Sequence, residues 1–169
     1  MSKNLFAWAS IGENGKAIGG KPGDQNGREV RIGAYYDFGQ NRVIRFKNKL
    51  KGRKAAKITK SLALCGSIGY NQNNRASLYN LAAKNGWNFK KLMKALTKHK
   101  VDCDCSALAS TVVCLAYGRR LIPCCTTRTI ASYCSKTGLF KIISVKKAKK
   151  KWHKGDMPVK AGDHIIINV

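Results

Sequence analysis

Asp102-Cys103-Asp104-Cys105-Ser106-Ala107-Leu108, continued by an apolar stretch to Tyr117, decides how this chain is read. The pattern sets Cys105 between a capping aspartate and a helix that starts at once. Asp104 or Asp102 would cap that helix by accepting from its free first-turn N–H groups. The partial positive charge there favours an anion, so a cysteine in this place is expected to ionise below the free value of about 8.5. Cys105 is therefore the candidate nucleophile. The competing reading of the same residues is a small buried hydrophobe, the usual state of a free cysteine.

Working outward, 169 residues suffice for one domain with its own core, and we read 1–169 as a single domain. Apolar residues make up 44%, which excludes a disordered basic tail. The 33 Lys and Arg against 8 Asp and Glu give a formal charge of +25, which calls for a polyanionic partner. Nucleic acid, an anionic membrane surface and a phosphate-bearing cell wall all satisfy that demand. No run approaches the roughly 20 apolar residues of a membrane span, and Met1 to Trp8 lacks a signal-peptide core. The expectation is synthesis in the cytoplasm and, if the protein leaves, release by another route.

The seven cysteines (65, 103, 105, 114, 124, 125, 134) are odd in number and irregular in spacing. Reduced thiols are expected rather than a disulfide framework. Without a C-x-x-C pair, no metal site is expected, and no cofactor either. Gly15-Lys16-Ala17-Ile18-Gly19-Gly20-Lys21-Pro22 approaches a phosphate-binding loop. Pro22 stands where a hydroxyl must reach Mg²⁺, so these glycines are read as turns.

Periodicity places the other elements. Leu5, Phe6, Trp8 and Ile11 form a short amphipathic start, and Val30–Ile32 and Arg42–Phe46 read as extended segments around a Tyr35–Gly39 turn. Helices are expected over 54–68, 75–84, 88–99 and 127–135, with Gly69, Gly86 and Gly138 as stop signals. Leu139–Ile143 and Ile165–Ile167 are the best strand candidates. The run Lys146-Lys147-Ala148-Lys149-Lys150-Lys151 between them is expected to be a solvated loop, with Trp152 and His153 as a possible contact surface.

Four groups of residues then carry a resemblance. They are Glu13–Lys16 with Pro22–Val30, Tyr35-Tyr36 with Arg42–Arg45, Ile68–Arg75, and Asp104-Cys105-Ser106 with Ala161-Gly162-Asp163. In this order the chain resembles a bacteriophage peptidoglycan hydrolase, the phage amidase or endolysin group related to NlpC-type papain-like cell-wall cysteine peptidases. The resemblance covers nearly the whole chain, and the Gly-Asp-Gln and Asp-Cys-Ser segments are its specific parts. It implies an α+β, papain-like fold, with helices packed on a small antiparallel sheet and the nucleophile at the N-terminus of a central helix. Cys105 matches that nucleophile, Asp104 and Ser106 fall at the helix cap and oxyanion positions, and Cys103 does not match.

The C-terminus departs from the pattern. The resemblance implies a Gly-Asp step opening one strand and a general-base histidine on the next. Here Gly162-Asp163 leads into Ile165–Ile167 and the sequence ends at Val169. Either the histidine strand lies beyond Val169 or His164 has taken its role. The first is the expectation, because His164 shares a strand face with Ile166. The function implied is a hydrolase cutting an amide of cell-wall peptide through a thioester, either the sugar–alanine amide or a peptide link. Its partners would be peptidoglycan and anionic wall polymers, reached with holin-type help or from a virion. A nucleic-acid-binding protein with structural thiols, or an inactive wall-binding relative, are the alternatives.

Overall fold

Strands from the two ends of the chain meet in one antiparallel layer in the computed structural model, which describes residues 4–169. Met1–Lys3 of the opening segment lie outside the described residues. β1 (Leu5–Ala9) pairs with β2 (Val30–Ala34) on one side and with β8 (Ile167–Asn168) on the other. A second sheet sets β3 (Arg42–Phe46) between β6 (Phe140–Ser144) and β7 (Met157–Val159). Ile166 N donates to Pro158 O at 3.1 Å and Asn168 N to Asp156 O at 2.8 Å. Those bonds make β7 and the segment into β8 a hairpin, so the layer runs β6-β3-β7-β8-β1-β2. β4 (Ile68–Tyr70) and β5 (Val101–Cys103) form a separate parallel pair.

The helices are α1 (Lys49–Leu64), α2 (Ser77–Lys84), α3 (Phe89–Leu96), α4 (Cys105–Tyr117), α5 (Ile130–Lys136) and α6 (Val145–Lys150). α4 is the centre of the core: every residue from Cys105 to Ala116 is buried, against α1, α2, β1 and β5. Its small side chains let those neighbours approach closely. Its buried hydroxyls are satisfied inside the helix, Ser110 Oγ donating to Ser106 O and Thr111 Oγ1 to Ala107 O, each at 2.8 Å. Gly118 ends the helix at φ 71°, the left-handed conformation in which Arg119 N reaches back to Cys114 O.

The α+β class and the antiparallel sheets agree with expectation, while the end of the first helix, the lysine run and the start of the fifth helix differ. The first helix begins at Lys49 under an Asn48 cap and ends at Leu64, while Ile68-Gly69-Tyr70 is a strand. Gly66 at φ 67° turns the chain between them. The lysine run is helical, because Ser144 Oγ caps α6 and Val145 and Ala148, one turn apart, bury beneath the lysines. The segments expected to be extended on either side of the Tyr35–Gly39 turn are β2 and β3, each paired with other strands. The fifth helix starts at Ile130, after a Thr126–Thr129 turn. No helix among the described residues is long and apolar enough to cross a membrane.

Candidate active site

β5 runs into α4 through Asp104, whose extended backbone (φ −103°, ψ 178°) makes it the N-cap and Cys105 the first helical residue. Asp104 Oδ1 accepts from Ala107 N at 2.6 Å and from Ser106 Oγ at 2.9 Å. Its Oδ2 pairs with Arg75 Nε at 2.6 Å. Arg75 also donates to Ser106 Oγ at 3.1 Å and to the Cys125 carbonyl. Both side chains expected at the cap are thus committed to one network. Ser106 is 2% exposed, and its hydroxyl is engaged by both Asp104 and Arg75.

Cys105 is 6% exposed. Burial pushes its thiol up to about 12, and the Asp104 carboxylate adds to the rise. The N–H groups of Ile165, Ser106 and Cys105 itself oppose that rise only in part. The helix N-terminus therefore acts in the expected direction, but desolvation and the capping carboxylate outweigh it. In the resting fold Cys105 is a neutral thiol, not the thiolate anticipated from the sequence. Neighbouring Cys103 is fully buried and raised further by desolvation, with its sulfur 3.8 Å from Gly69 O.

His164 is placed by the segment that leads into β8, and the Asp104 carboxylate is among the charges its ring feels. Alternation sends Ile165 and Ile167 into the core with Cys105, and Ile166 to the opposite face with Phe6 and Trp8. His164 shares the Ile166 face, its ring 5.2 Å from that of Phe38 and 6.3 Å from that of Tyr36. Its Nε2 is buried without a partner, and among the described residues no hydrogen bond joins it to Cys105. Burial holds the imidazole down at about 4, so it is uncharged at neutral pH. His99 and His153 line other cavities.

Tyr70 and Tyr36, to which the sequence assigned no role, both feel the charge of an ionised Cys105. Burial raises the Tyr70 phenol to about 12 despite the Gln72 amide donating to it, and Cys105 and Asp104 add to the rise. Burial also raises Tyr36, against the pull of Arg31, with Cys105 again contributing. Tyr70 is placed by the β4–β5 pairing, which sets it opposite Cys103. The only signal available in sequence was that both tyrosines lie in segments carrying the resemblance.

Carboxylates hold the glycine-rich loop against this edge. Glu29 is fully buried and accepts from Gln25 N at 2.8 Å and from Tyr70 N at 3.0 Å. Asp24 Oδ1 accepts from Gly27 N at 2.8 Å, and Glu13 Oε1 from Lys21 N at 2.8 Å. These are turn-forming bonds, in line with the sequence reading of the loop. No group of three or more His, Cys, Asp or Glu side chains among the described residues is arranged to hold a metal.

The family model described as endolysin-like domain matches residues 6–169 of this chain. No curated protein matches it, and no solved structure does.

Proposed function

We propose, from the premise that the chain belongs to the endolysin-like domain family, that it is a cell-wall hydrolase using Cys105 as nucleophile on an amide of the wall peptide. One observation carries the reading: Cys105 is the first residue of a buried helix capped by Asp104, at the end where first-turn backbone N–H groups have no intrahelical partner. Such N–H groups are suited to hold an oxyanion as well as a thiolate.

Because the resting thiol is neutral, attack is coupled to proton removal. A base takes the Cys105 proton as sulfur bonds to the scissile carbonyl carbon. The carbonyl π electrons move to oxygen, which the Cys105 and Ser106 N–H groups receive. The tetrahedral adduct collapses, the C–N bond breaks, and the amine leaves with the proton returned by the base. Water then attacks the thioester, gives the carboxylic acid and restores the thiol. This reading assigns the base to a group other than His164, whose ring lies edge-on to Phe38 at 5.2 Å and whose Nε2 has no hydrogen-bond partner among the described residues. The papain-like relationship suggested by the Asp-Cys-Ser segment fits this chemistry and belongs to the same proposal.

The test is turbidity loss of purified Gram-positive walls, with release of new amino groups as the chemical readout. Cys105→Ala should remove both signals, while Cys103→Ala and Cys134→Ala, at fully buried thiols outside the first turn of α4, should keep them in the folded fraction. Amine release surviving Cys105→Ala would overturn the assignment.

A further inference from the structure

Opposite in character to the enclosed Cys105 region is a cationic groove on the β3 side of the molecule. A cavity of about 280 Å³ is bounded by Arg45, Lys49, Arg53 and the Lys151–Lys154 segment. A second, of about 230 Å³, shares Arg45, Phe46, Lys49 and His153 with it and adds Lys47, Lys141 and Lys147. The two are therefore halves of one trough. α6 extends it through Lys146, Lys147 and Lys150, which line a further concavity.

The one carboxylate in the trough does not offset this charge. Asp156 is 1% exposed and bound twice by Arg45, Nε to Oδ1 at 2.8 Å and Nη2 to Oδ2 at 2.6 Å, and it also accepts from His153 N at 2.9 Å. Asp156 thus neutralises Arg45 and fixes the floor, while Lys47, Lys49, Arg53, Lys141, Lys147 and Lys151 are exposed and make no ion pair among the described residues. Like charges gathered along a concave surface at this density repel one another, and a polyanion relieves that repulsion.

We infer that this trough binds a phosphodiester polymer of the cell wall, of the polyol-phosphate type, and holds the protein on its substrate. The inference rests on the proposed action at the wall. Two features select this polymer over nucleic acid. Single strands are bound on exposed aromatic platforms, yet Trp152, the one indole in the trough, is spent on contacts with Phe6 and Tyr35 at ring distances of 5.1 and 5.2 Å. Duplex readers insert a helix or ribbon into a groove, and the lysine-bearing α6 is a single six-residue segment packed on β6 and β3. A flexible polyol phosphate offers charge without bases and needs neither device.

The experiment is co-sedimentation with purified Gram-positive walls, intact or stripped of teichoic acid, at several salt concentrations. The groove variant Lys49→Glu/Arg53→Glu/Lys147→Glu changes exposed side chains only, and Lys91→Glu/Lys94→Glu/Lys98→Glu on and after α3 is the charge-matched control. The groove variant should bind intact walls on the order of tenfold more weakly than the control, and the difference should vanish on stripped walls. Equal weakening in both variants would show a diffuse charge effect and overturn the site. So would an undiminished groove variant, or one that loses binding only to added single- or double-stranded DNA. Cys105→Ser should sediment like the wild type, so a failed hydrolase assignment would leave this result standing and be recognised separately.

Discussion

Arg75 Nε donates to Asp104 Oδ2 at 2.6 Å, while Oδ1 of the same carboxylate accepts from Ala107 N at 2.6 Å. One side chain therefore caps the Cys105 helix and anchors it to the segment leading into α2. Arg75 extends the tie to Ser106 and to the Cys125 carbonyl, so three separate parts of the chain meet on one guanidinium.

Removing that guanidinium leaves a largely buried carboxylate and a carbonyl without their donor. Arg75→Ala should lower stability by about 2 kcal/mol, read as the urea midpoint at constant slope. Arg75→Lys should recover only part of the loss, because a point charge does not reproduce a planar fork serving several acceptors. Full recovery by lysine would show that charge alone matters here.

Cys105 should behave as a high-pKa thiol. With its thiol pushed up to about 12, alkylation by iodoacetamide in the folded protein should climb about tenfold per pH unit from 7 to 10, without a plateau. Peptide mapping by mass spectrometry would follow the residue. A plateau below pH 8 would mean that the helix N-terminus prevails over burial and Asp104. The same shift bears on stability: the folded state holds this proton more tightly than the unfolded chain, so stability falls as pH rises above about 9 toward 12.

How much of this was legible in sequence follows from how local each cause is. α4 was, since its Asp104 cap and its apolar run to Tyr117 are contiguous in the chain. The α1 boundary was not, because apolar spacing continues smoothly into Ile68-Gly69-Tyr70, and only pairing with a strand some thirty residues later makes that segment β4. α6 was hidden because two buried residues, Val145 and Ala148, carry it beneath four lysines. The Arg45–Asp156 pair spans 111 positions, beyond any periodicity argument. For Cys105 the sequence showed the dipole effect but not the burial that outweighs it, since burial depends on a core gathered from the whole length of the chain.

His164 should shape the acid limb of stability rather than wall lysis. Its folded pKa is depressed to about 4 by burial, against an ordinary value of 6.5. The unfolded state binds the proton first as pH falls, so stability is full above about 6.5 and is lost between 6.5 and 4. The shift corresponds to about 3 kcal/mol. His164→Gln should flatten that limb in a pH series of urea midpoints and leave amine release from walls unchanged. Abolished release in a folded His164→Gln protein would make His164 the base after all.

Asp102 gives the opposite sign. It is 1% exposed, its Oδ2 accepts from Asn74 Nδ2 at 3.1 Å, and its Oδ1 is buried with no partner. A Cβ added at Gly69 would lie 2.8 Å from that oxygen and 2.9 Å from Glu29 Oε2, so two carboxylates crowd one glycine. Burial raises both acids, with the Asn74 amide and the Gly23 N–H opposing the rise at Asp102 only in part. An acid whose folded pKa is raised contributes most below its unfolded value, and that contribution is lost as pH rises through the folded one. Asp102→Asn keeps an acceptor for Asn74, removes the buried charge and turns an N–H donor toward the Glu29 side. It should therefore raise stability at pH 7 by about 1 kcal/mol and change little at pH 4. Urea midpoints at the two pH values decide the matter: a loss at pH 7 would mean that the ionised carboxylate itself holds this loop in place.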